Sequence, residues 1–248
     1  MSSISVVMAV FNGQRFLRQQ VESVLAELVP GDEFIAIDDG SSDGSLSLLN
    51  GIGAPVLRVL ANPENLGVAR TFERGLRLAT NEYIFLCDQD DVWLPGKRAA
   101  FVSSFERDSS VMVVISDAEV IDEQGRVISS SFMATRRGFD GSLMGTLWRN
   151  RYLGCSMALR RCLLEIALPV PRLAPMHDMW IGMLGRIAGN VTYLPSSFLH
   201  YRRHSANVTP SRPQSWPRML LWRIQLATAL TLRVFSRRIG LNRGSRLR

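Results

Sequence analysis

Two clusters of carboxylates stand out in the chain of 248 residues, and one of them has the composition of a cation site. Asp88, Asp90 and Asp91 stand together in FLCDQDDVW, and Asp38 and Asp39 stand together in IDDGSSDGS. Three carboxylates within four positions repel one another, so keeping them ionised requires a cation or several hydrogen-bond donors. Oxygen ligands favour Mg²⁺ or Mn²⁺ over Zn²⁺, and such ions take phosphate oxygens as further ligands. These residues therefore predict a divalent ion and a substrate that carries phosphate.

Part of this charge has a structural explanation. Asp91 precedes VWLPGKR, where one acidic residue could cap the next helix. A cap needs one carboxylate rather than three, so Asp88 and Asp90 keep the functional interpretation. The same Asp-x-Asp after an apolar strand also fits haloacid-dehalogenase-like phosphatases. Their chemistry needs a lysine far along the chain, and the single lysine, Lys97, lies nine residues after Asp88.

The segments around the two clusters alternate between strand and helix patterns. Short β-rich runs predict strands at ISVVMAV, EFIAI, VLRVLA and EYIFLC, and apolar periodicity predicts helices at QRFLRQQVESVLAEL, SLSLLN and VARTFERGLRLA. This order predicts an α/β fold with a Rossmann-like, mostly parallel sheet and helices on both faces. Ligands of such sheets bind at the carboxyl ends of the strands. Because each acidic cluster directly follows a strand, we expect both along one edge, facing one extended ligand.

The alternation becomes irregular after a further strand at VMVVISDAEVI. We expect a helix over residues 156–167, a second helix at HDMWIGMLGRIAG, and two short strands at VTYLP and FLHYRRH. Residues 1–210 are therefore predicted to form one domain, followed by a tail over residues 211–248.

The net charge of +7 is concentrated in the tail. Residues 1–210 contain 20 Lys and Arg against 22 Asp and Glu, whereas residues 211–248 contain nine Arg and no acidic residue. No nucleic-acid partner is expected, because phosphate-binding surfaces need positive charge over the face of the domain. The three scattered cysteines favour a reduced compartment, and no signal peptide is evident before the first strand. The expected location is cytoplasmic.

The tail has a helical pattern over residues 216–239, with Arg223 and Arg233 among the arginines that interrupt its apolar run. The longest uncharged stretch, residues 224–232, is nine residues long, whereas spanning a bilayer takes about 20. A basic amphipathic helix suits a membrane interface, where arginines reach anionic headgroups. We expect this tail to bind the inner face of the plasma membrane. Packing on the body or on a second chain is the alternative.

Six blocks of the sequence resemble glycosyltransferase family 2, whose members are inverting enzymes of the GT-A fold. The blocks span about residues 3–210 in order and are SVVMAVFNGQRFL, IDDGSSDGS, NPENLGVAR, YIFLCDQDDVWLPGK, HDMW and YRRHSANV. The Asp-Gln-Asp-Asp-x-Trp variant, with His-Asp-x-Trp downstream, is most similar to the bacterial branch that includes rhamnosyltransferases of surface-polysaccharide assembly. The resemblance implies a GT-A domain over 1–210, with a nucleotide-binding half over 1–115 and an acceptor-binding half over 116–210.

The resemblance places the nucleotide at the first two strand ends. It implies that the backbone of Ala9, Val10 and Phe11 holds the base and ribose together with the carboxylate of Asp39, with Asp38 beside it.

Four further positions match residues that surround the diphosphate and sugar. Gly67 and Arg70 of NLGVAR match positions that border the nucleotide. Asp90 would be the direct ligand of Mn²⁺ or Mg²⁺, so that the ion bridges the diphosphate. Asp88 would reach the ribose or a metal-bound water.

The second half supplies the remaining expected site residues. Inverting transfer needs a base that removes the proton of the acceptor hydroxyl, and Asp178 of HDMW matches that position. From the sequence alone, Asp178 could equally cap its helix. His204 matches a histidine that contacts the metal or diphosphate, and Arg202 and Arg203 could stabilise the leaving diphosphate.

Together these observations predict a metal-dependent inverting glycosyltransferase. The donor is expected to be dTDP-rhamnose or a UDP-sugar, and the acceptor a hydroxyl of a surface polysaccharide or lipid-linked glycan. A nucleotidyltransferase on a similar sheet is the enzymatic alternative, although it would have no use for Asp178. A catalytically inactive peripheral-membrane binding module is the non-enzymatic alternative.

Overall fold

The computed structural model describes residues 2–174, 176–205 and 216–244. Residues 206–208 of the last matching block and residues 211–215 and 245–248 of the tail lie outside the described residues. The first half of the chain has the predicted alternation of strands and helices. Its elements are β1 (Ile4–Val10), α1 (Gln14–Leu25), β2 (Glu33–Asp38), α2 (Ser45–Ile52), β3 (Leu57–Ala61), α3 (Val68–Leu78) and β4 (Tyr83–Cys87).

The second half is less regular and ends in a long helix. Its elements are β5 (Val92–Trp93), α4 (Lys97–Arg107), β6 (Val111–Ile121), β7 (Val127–Ser129), α5 (Phe132–Thr135), α6 (Leu143–Trp148), β8 (Met157–Arg160), α7 (Leu164–Ala167), α8 (His177–Ala188), β9 (Asn190–Arg202) and α9 (Trp216–Gly244).

All these strands join one mixed sheet in the order β3-β2-β1-β4-β8-β6-β9-β5, with β7 paired to β6. The strands β1 to β4 are mutually parallel, as predicted. Beyond them, β8 is antiparallel to both β4 and β6, and β9 is parallel to β6. In the parallel part, Val10 pairs with Asp38 and Met8 pairs with Cys87. The acidic segments after β2 and β4 therefore leave the sheet at the same edge.

Helices cover both faces of the sheet, which confirms the predicted layers. Alternate residues of β1 point to opposite faces, so Val6 packs on one side, in a cluster with Val21 of α1 and Phe101 of α4. Val7 packs on the other side, in a cluster with Phe72 of α3. Truncating a fully buried aromatic side chain in such a core costs about 3–5 kcal/mol. These clusters fix the strand ends that carry the acidic residues.

Two local predictions in the second half are wrong. Residues 156–167 were expected to form one helix, but residues 157–160 form β8 between β4 and β6 in the sheet. A four-residue apolar run cannot be assigned to strand or helix by periodicity alone, and here pairing on both sides decides it. The two short strands expected near the end are one strand, β9, whose register shifts where Asp117 pairs with Ser197.

The expected division into two halves at residues 115 and 116 falls inside β6. Both hydrophobic clusters also contain residues from before and after that point. The halves therefore share one sheet and one pair of cores, and the division is a prediction about function rather than a structural boundary.

The inner face of α9 packs on the body. Leu226, Ala229 and Leu230 are buried there. Arg223 donates to the carbonyl oxygens of Leu147 (3.0 Å) and Trp148 (2.6 Å). The packing alternative therefore holds for this face of the tail.

Arg233 also turns inward, where it donates to the carbonyl oxygens of Ile166 (2.7 Å) and Pro169 (2.6 Å). Arg223 and Arg233 were expected to reach lipid headgroups, but both bind protein carbonyls at the ends of short helices. The outer face of α9 leaves large apolar side chains exposed, among them Leu221, Ile224 and Phe235. Within the described part of the chain, no helix is long and apolar enough to cross a membrane.

Candidate active site

Asp39 holds the loop between β3 and α3. Its Oδ1 accepts hydrogen bonds from Asn62 Nδ2 (2.6 Å) and Leu66 N (2.9 Å), and its Oδ2 accepts one from Gly67 N (2.9 Å). Gly67 has φ 85° and ψ 154°, a conformation that is essentially restricted to glycine. Both oxygens of Asp39 are thus bonded within the protein, and Gly67 is required by the backbone.

Asp38 differs from its neighbour because one of its oxygens has no partner. Its Oδ2 accepts a hydrogen bond from Ser41 N (3.0 Å), whereas Oδ1 is buried and has no hydrogen-bond partner in the described structure. A buried acceptor without a partner is uncommon, and a ligand or water normally satisfies it. Asp38 is therefore the carboxylate of this pair that is open to a ligand.

The backbone that follows β1 is largely occupied by other protein groups. Val10 O accepts a hydrogen bond from Asp39 N (2.7 Å). Phe11 N donates to Gln89 Oε1 (2.7 Å), and Gln89 Nε2 donates to Phe11 O (3.0 Å). A nucleotide contact at the N–H of Phe11 would require Gln89 to move. Ala9, one residue before Val10, is half-buried. Sequence reasoning missed Gln89, the middle residue of the Asp-x-Asp.

Arg70 joins α3 to the loop that follows α7. Its Nη1 donates to Glu73 Oε2 (2.7 Å) and to Val170 O (3.3 Å). The side chain is 38% exposed, so it borders the surface beside Gly67 as expected for a residue at the rim.

The structure brings together Asp90 and His204, which are 114 residues apart in the chain. His204 Nε2 and Asp90 Oδ2 are 2.7 Å apart, and the side chains are 9% and 13% exposed. Burial, together with the charges of Asp90 and Asp178, raises the pKa of Asp88 to about 7. This excess of negative charge suits a bound divalent cation, and two carboxylates with one imidazole are acceptable ligands for Mn²⁺ or Mg²⁺.

Asp91 is not a helix cap, contrary to the alternative considered above. The N-cap residue of α4 is Gly96, with φ 85° and no side-chain hydrogen bond. Asp91 is fully buried, and its Oδ1 accepts a hydrogen bond from Arg202 N (2.9 Å). Burial and the charges of Asp90 and Asp88 raise its pKa well above the usual range.

A buried lysine lies beneath this acidic loop. Lys97 is fully buried, its Nζ donates to Cys155 O (2.8 Å), and it stands 4.3 Å from the centre of the Trp93 ring. Burial lowers its pKa to about 8. Potential ligand atoms of Asp88, Asp91 and Cys155 lie within 4.8 Å of one another. Because Asp91 and Cys155 are buried inward, Asp90 and His204 fit a diphosphate-bound ion better than this group does.

Arg202, which was expected to stabilise the leaving diphosphate, is buried and bonded to protein groups. It is 3% exposed, its Nε donates to Asp90 O (2.9 Å), and its Nη2 donates to Gln19 Oε1 (2.9 Å). Together with the backbone bond to Asp91, these contacts fasten the acidic loop to the end of β9. Arg203 is half-buried, and its Nη1 donates to the Tyr201 hydroxyl (3.1 Å).

Asp178 lies in the first turn of α8, whose N-cap residue is Met176, so Asp178 does not occupy the cap position. It is 5% exposed, and burial raises its pKa to about 6. The effect of burial outweighs that of hydrogen bonds from the Met179 and Gly154 backbone and from the Asn150 side chain, which lower the pKa of Asp178. Its charge acts on Asp88, which is 90 residues earlier in the chain. The expected base and the acidic loop are therefore neighbours.

His177 packs against the first half of the chain. Its ring stacks on Phe72 of α3 with centroids 4.4 Å apart, and burial lowers its pKa to about 4. His177 Nε2 is buried, with no hydrogen-bond partner among the residues that the structure describes. Only its position next to Asp178 could have pointed to this histidine from the sequence.

Residues 5–165 match the sequence model of glycosyl transferase family 2. The chain belongs to this family. An uncharacterized glycosyltransferase of Nostoc sp. is 28% identical over 215 residues, which is 82% of this chain and 66% of the relative. The protein EpsH of Bacillus subtilis, named as a glycosyltransferase, is 22% identical and is matched over 83% of this chain and 62% of its own length. This chain thus spans less than two thirds of either relative.

Solved structures agree with this assignment at the level of the fold. The crystal structure of S. aureus TarS 1–349 in complex with UDP-GlcNAc superimposes with a TM-score of 0.73 at 16% identity, covering 92% of this chain and 66% of that one. The predicted GT-A-like fold of this family 2 chain is therefore confirmed. The rhamnosyltransferase branch stays a prediction.

Proposed function

We propose that this glycosyltransferase performs a metal-dependent, inverting transfer of a sugar from a nucleotide-diphosphate donor to an acceptor hydroxyl. The observation that carries the proposal is the proximity of Asp88, Asp90 and Asp178, since the charges of Asp90 and Asp178 both act on Asp88. A metal-holding pair and a base on opposite sides of one reacting carbon are what an inverting displacement requires.

The unpartnered Oδ1 of Asp38 supports a base with an N–H donor at this position. The imide N–H of uracil or thymine is such a donor, so the proposed donor is a UDP-sugar or dTDP-rhamnose. Asp39 and Gly67 keep the adjoining loop in place, and Ala9 lines the approach to the base. The proposed contacts of Val10 and Phe11 are apolar, because their backbone groups are bonded within the protein.

Asp90, Asp88 and His204 would hold Mn²⁺ or Mg²⁺. Such an ion, when bound, neutralises the charge of the diphosphate. Among the protein's own groups, Arg203 is proposed to add positive charge beside the leaving diphosphate, and Arg70 to border the nucleotide. For Arg202 we propose a positioning role, since it fixes the loop that carries Asp90.

Asp178 is the proposed general base. Its carboxylate takes the proton of the acceptor hydroxyl as the oxygen attacks the anomeric carbon, and the sugar–phosphate bond breaks on the opposite face. A buried carboxylate with a pKa of about 6 is a stronger base than an exposed one and is still ionised near neutral pH.

The acceptor is proposed to be a surface polysaccharide or a lipid-linked glycan, with the enzyme placed at the inner face of the plasma membrane. Support comes from α9, whose outer face exposes Leu221, Ile224 and Phe235 in a tail that has nine arginines and no acid. Apolar side chains flanked by arginines suit an anionic lipid surface. Sedimentation with anionic vesicles, comparing the wild type with Ile224→Asp, tests this contact.

Asp178→Asn tests the transfer proposal. Transfer is expected to fall by about a thousandfold because Asn cannot accept the proton, while the dissociation constant of the donor changes less than about twofold. The measurements are product formation, and thermal shift with UDP-, dTDP- and GDP-sugars in the presence and absence of Mn²⁺. Asp108→Asn, on an exposed turn, is the matched control and should keep wild-type activity. An active Asp178→Asn variant would refute the assignment.

A further inference from the structure

Two arginines near Asp178 form no ion pair with any carboxylate among the described residues. Arg136 follows α5 and Arg149 follows α6, and both side chains are half-buried. Neither guanidinium has a hydrogen bond or an ion pair within the ranges that the structure describes, although Arg151 nearby is paired with Asp140. Partly buried charges without a partner are costly, which points to a missing anion.

A chain of contacts places Arg136 at the side of the site near β9. Its guanidinium carbon lies 5.2 Å from the centre of the Phe132 ring. Phe132 meets Tyr201 edge-on at 5.5 Å, and the Tyr201 hydroxyl accepts a hydrogen bond from Arg203 (3.1 Å). This aromatic pair therefore stands between Arg136 and Arg203.

The loop that holds Arg136 is itself anchored to the sheet. Asp117 of β6 accepts hydrogen bonds from Ser131 Oγ (2.5 Å) and Met133 N (3.0 Å), at either side of Phe132. Arg149 is fixed differently, because the side chain of the next residue, Asn150, accepts a hydrogen bond from Tyr152 N (2.9 Å). Both arginines are thus presented from anchored segments.

The charges that act on Arg136 show which groups are near it. Burial lowers the pKa of Arg136, the charges of Tyr201 and Asp178 raise it, and the charges of Arg149 and Arg203 lower it. The charges that act most strongly on Asp88 are those of Asp90, Asp178 and Lys97. Asp178 therefore lies within reach of both Arg136 and the acidic loop.

An anion at this position would have two effects on the proposed reaction. It would balance Arg136 and Arg149, and it would stop their charge from weakening Asp178 as a base. The planar guanidinium group binds phosphate and carboxylate oxygens in a bidentate manner, which suits an anion attached to a larger molecule.

We propose that Arg136 and Arg149 form a subsite for a phosphate or carboxylate group of the acceptor, close to the hydroxyl that receives the sugar. This inference rests on the proposed function, since it takes Asp178 as the base and the acidic loop as the donor side. The acceptor is accordingly an anionic glycan or glycan phosphate rather than a neutral sugar.

The test is a binding titration that needs no turnover. Glycerol 3-phosphate and glucuronate are titrated at low salt, with glycerol and glucose as their neutral counterparts, and binding is followed by ligand-observed NMR. The wild type is expected to bind at least one anion and neither neutral compound. Arg136→Gln and Arg149→Gln should each weaken the binding by about tenfold, since each removes a charge-assisted contact.

Controls separate this subsite from general charge and from misfolding. Arg137→Gln, on the exposed side of the same segment, should bind like the wild type, and Arg149→Lys should keep part of the affinity. Equal weakening by Arg137→Gln, or wild-type affinity in Arg136→Gln and Arg149→Gln, would overturn the proposal, as would a wild type that binds neither anion.

A second titration with Mg²⁺ and saturating UDP distinguishes the acceptor from the donor as the source of the anion. Undiminished anion binding supports an acceptor subsite, whereas displacement by UDP assigns the arginines to the donor diphosphate and overturns it. Failure of the proposed function has another signature, namely no thermal shift with any nucleotide sugar, and it leaves the arginine-dependent titration readable.

Discussion

The loops that follow β2 and β4 each carry two neighbouring carboxylates. Within each loop, the two carboxylates have different hydrogen-bond partners. After β2, Asp39 is bonded to the loop before α3, whereas Asp38 keeps a buried oxygen without a partner. After β4, Asp91 is buried and its Oδ1 is bonded to the backbone of β9, although its Oδ2 has no partner among the described residues, whereas Asp90 lies beside His204. In each loop one carboxylate holds the chain and the other can serve a ligand.

This division explains why acidic residues are adjacent in both loops. A carboxylate that binds a nucleotide or a cation must stay in one position while the ligand is absent. The neighbouring carboxylate supplies that rigidity through hydrogen bonds to main-chain N–H groups, which are strong when the acceptor is charged. Mutation can distinguish the two members of each pair. Loss of one should reduce activity or donor binding, whereas loss of the other should reduce stability or have little effect.

The largest expected difference is between Asp90 and Asp91. Asp90→Asn should lower transfer by about a thousandfold because it removes a charged ligand of the cation, with little change in melting temperature. Asp91→Asn should keep most of the activity, because burial raises the pKa of Asp91 and Asn keeps an oxygen for Arg202 N. Activity and melting curves at several Mn²⁺ concentrations check this. Equal losses of transfer activity in the two variants would show that Asp90 and Asp91 do not have separate roles.

The pair after β2 should separate binding from stability. Asp38→Asn is expected to weaken donor binding by about tenfold, because it places an amide where the base N–H needs an acceptor, while stability is kept. Asp39→Asn breaks charged hydrogen bonds to Leu66 and Gly67, and it should cost about 2–4 kcal/mol in the free energy of unfolding. Isothermal titration with UDP and thermal denaturation measure the two effects. The comparison fails if Asp38→Asn is the less stable variant.

The smallest expected effect concerns pH, and it extends the comparison to Asp178. Burial raises the pKa of Asp178 from its usual 3.8 to about 6, so its base form is lost as the pH falls through 6. Transfer at pH 5 should be about a tenth of the neutral value, whereas an unshifted carboxyl would keep full activity there. Asn150→Ala removes a bond that lowers this pKa and should move the acidic limb to higher pH. A profile that is flat between pH 5 and 7 would contradict the assignment.

The strand and helix patterns predicted most of the first half of the fold. Buried parallel strands such as β1 have continuous apolar runs, and helices such as α3 have a clear apolar stripe, so both patterns survive without knowledge of the tertiary structure. The position of the acidic clusters at one edge followed from the same alternation. For β8 the pattern was insufficient, because its pairing partners lie far along the chain.

The division of labour within each acidic pair could not be predicted from the sequence. It depends on donors that approach from distant segments, namely Asn62 and Gly67 for Asp39 and the backbone of Arg202 for Asp91. The inward turn of Arg223 has the same origin, since the carbonyl groups that it meets belong to α6, far earlier in the chain. Local spacing carries no information about such partners.

The contacts of Arg202 determine which part of the chain must be present before the acidic loop is aligned for catalysis. The acidic loop lies in the first half of the chain, but the backbone of Arg202 that bonds to Asp91 lies at the end of β9, 111 residues later. A chain that ends before β9 would contain the carboxylates without the strand that aligns them or the histidine that follows it. The proposed catalysis therefore requires synthesis of the whole domain.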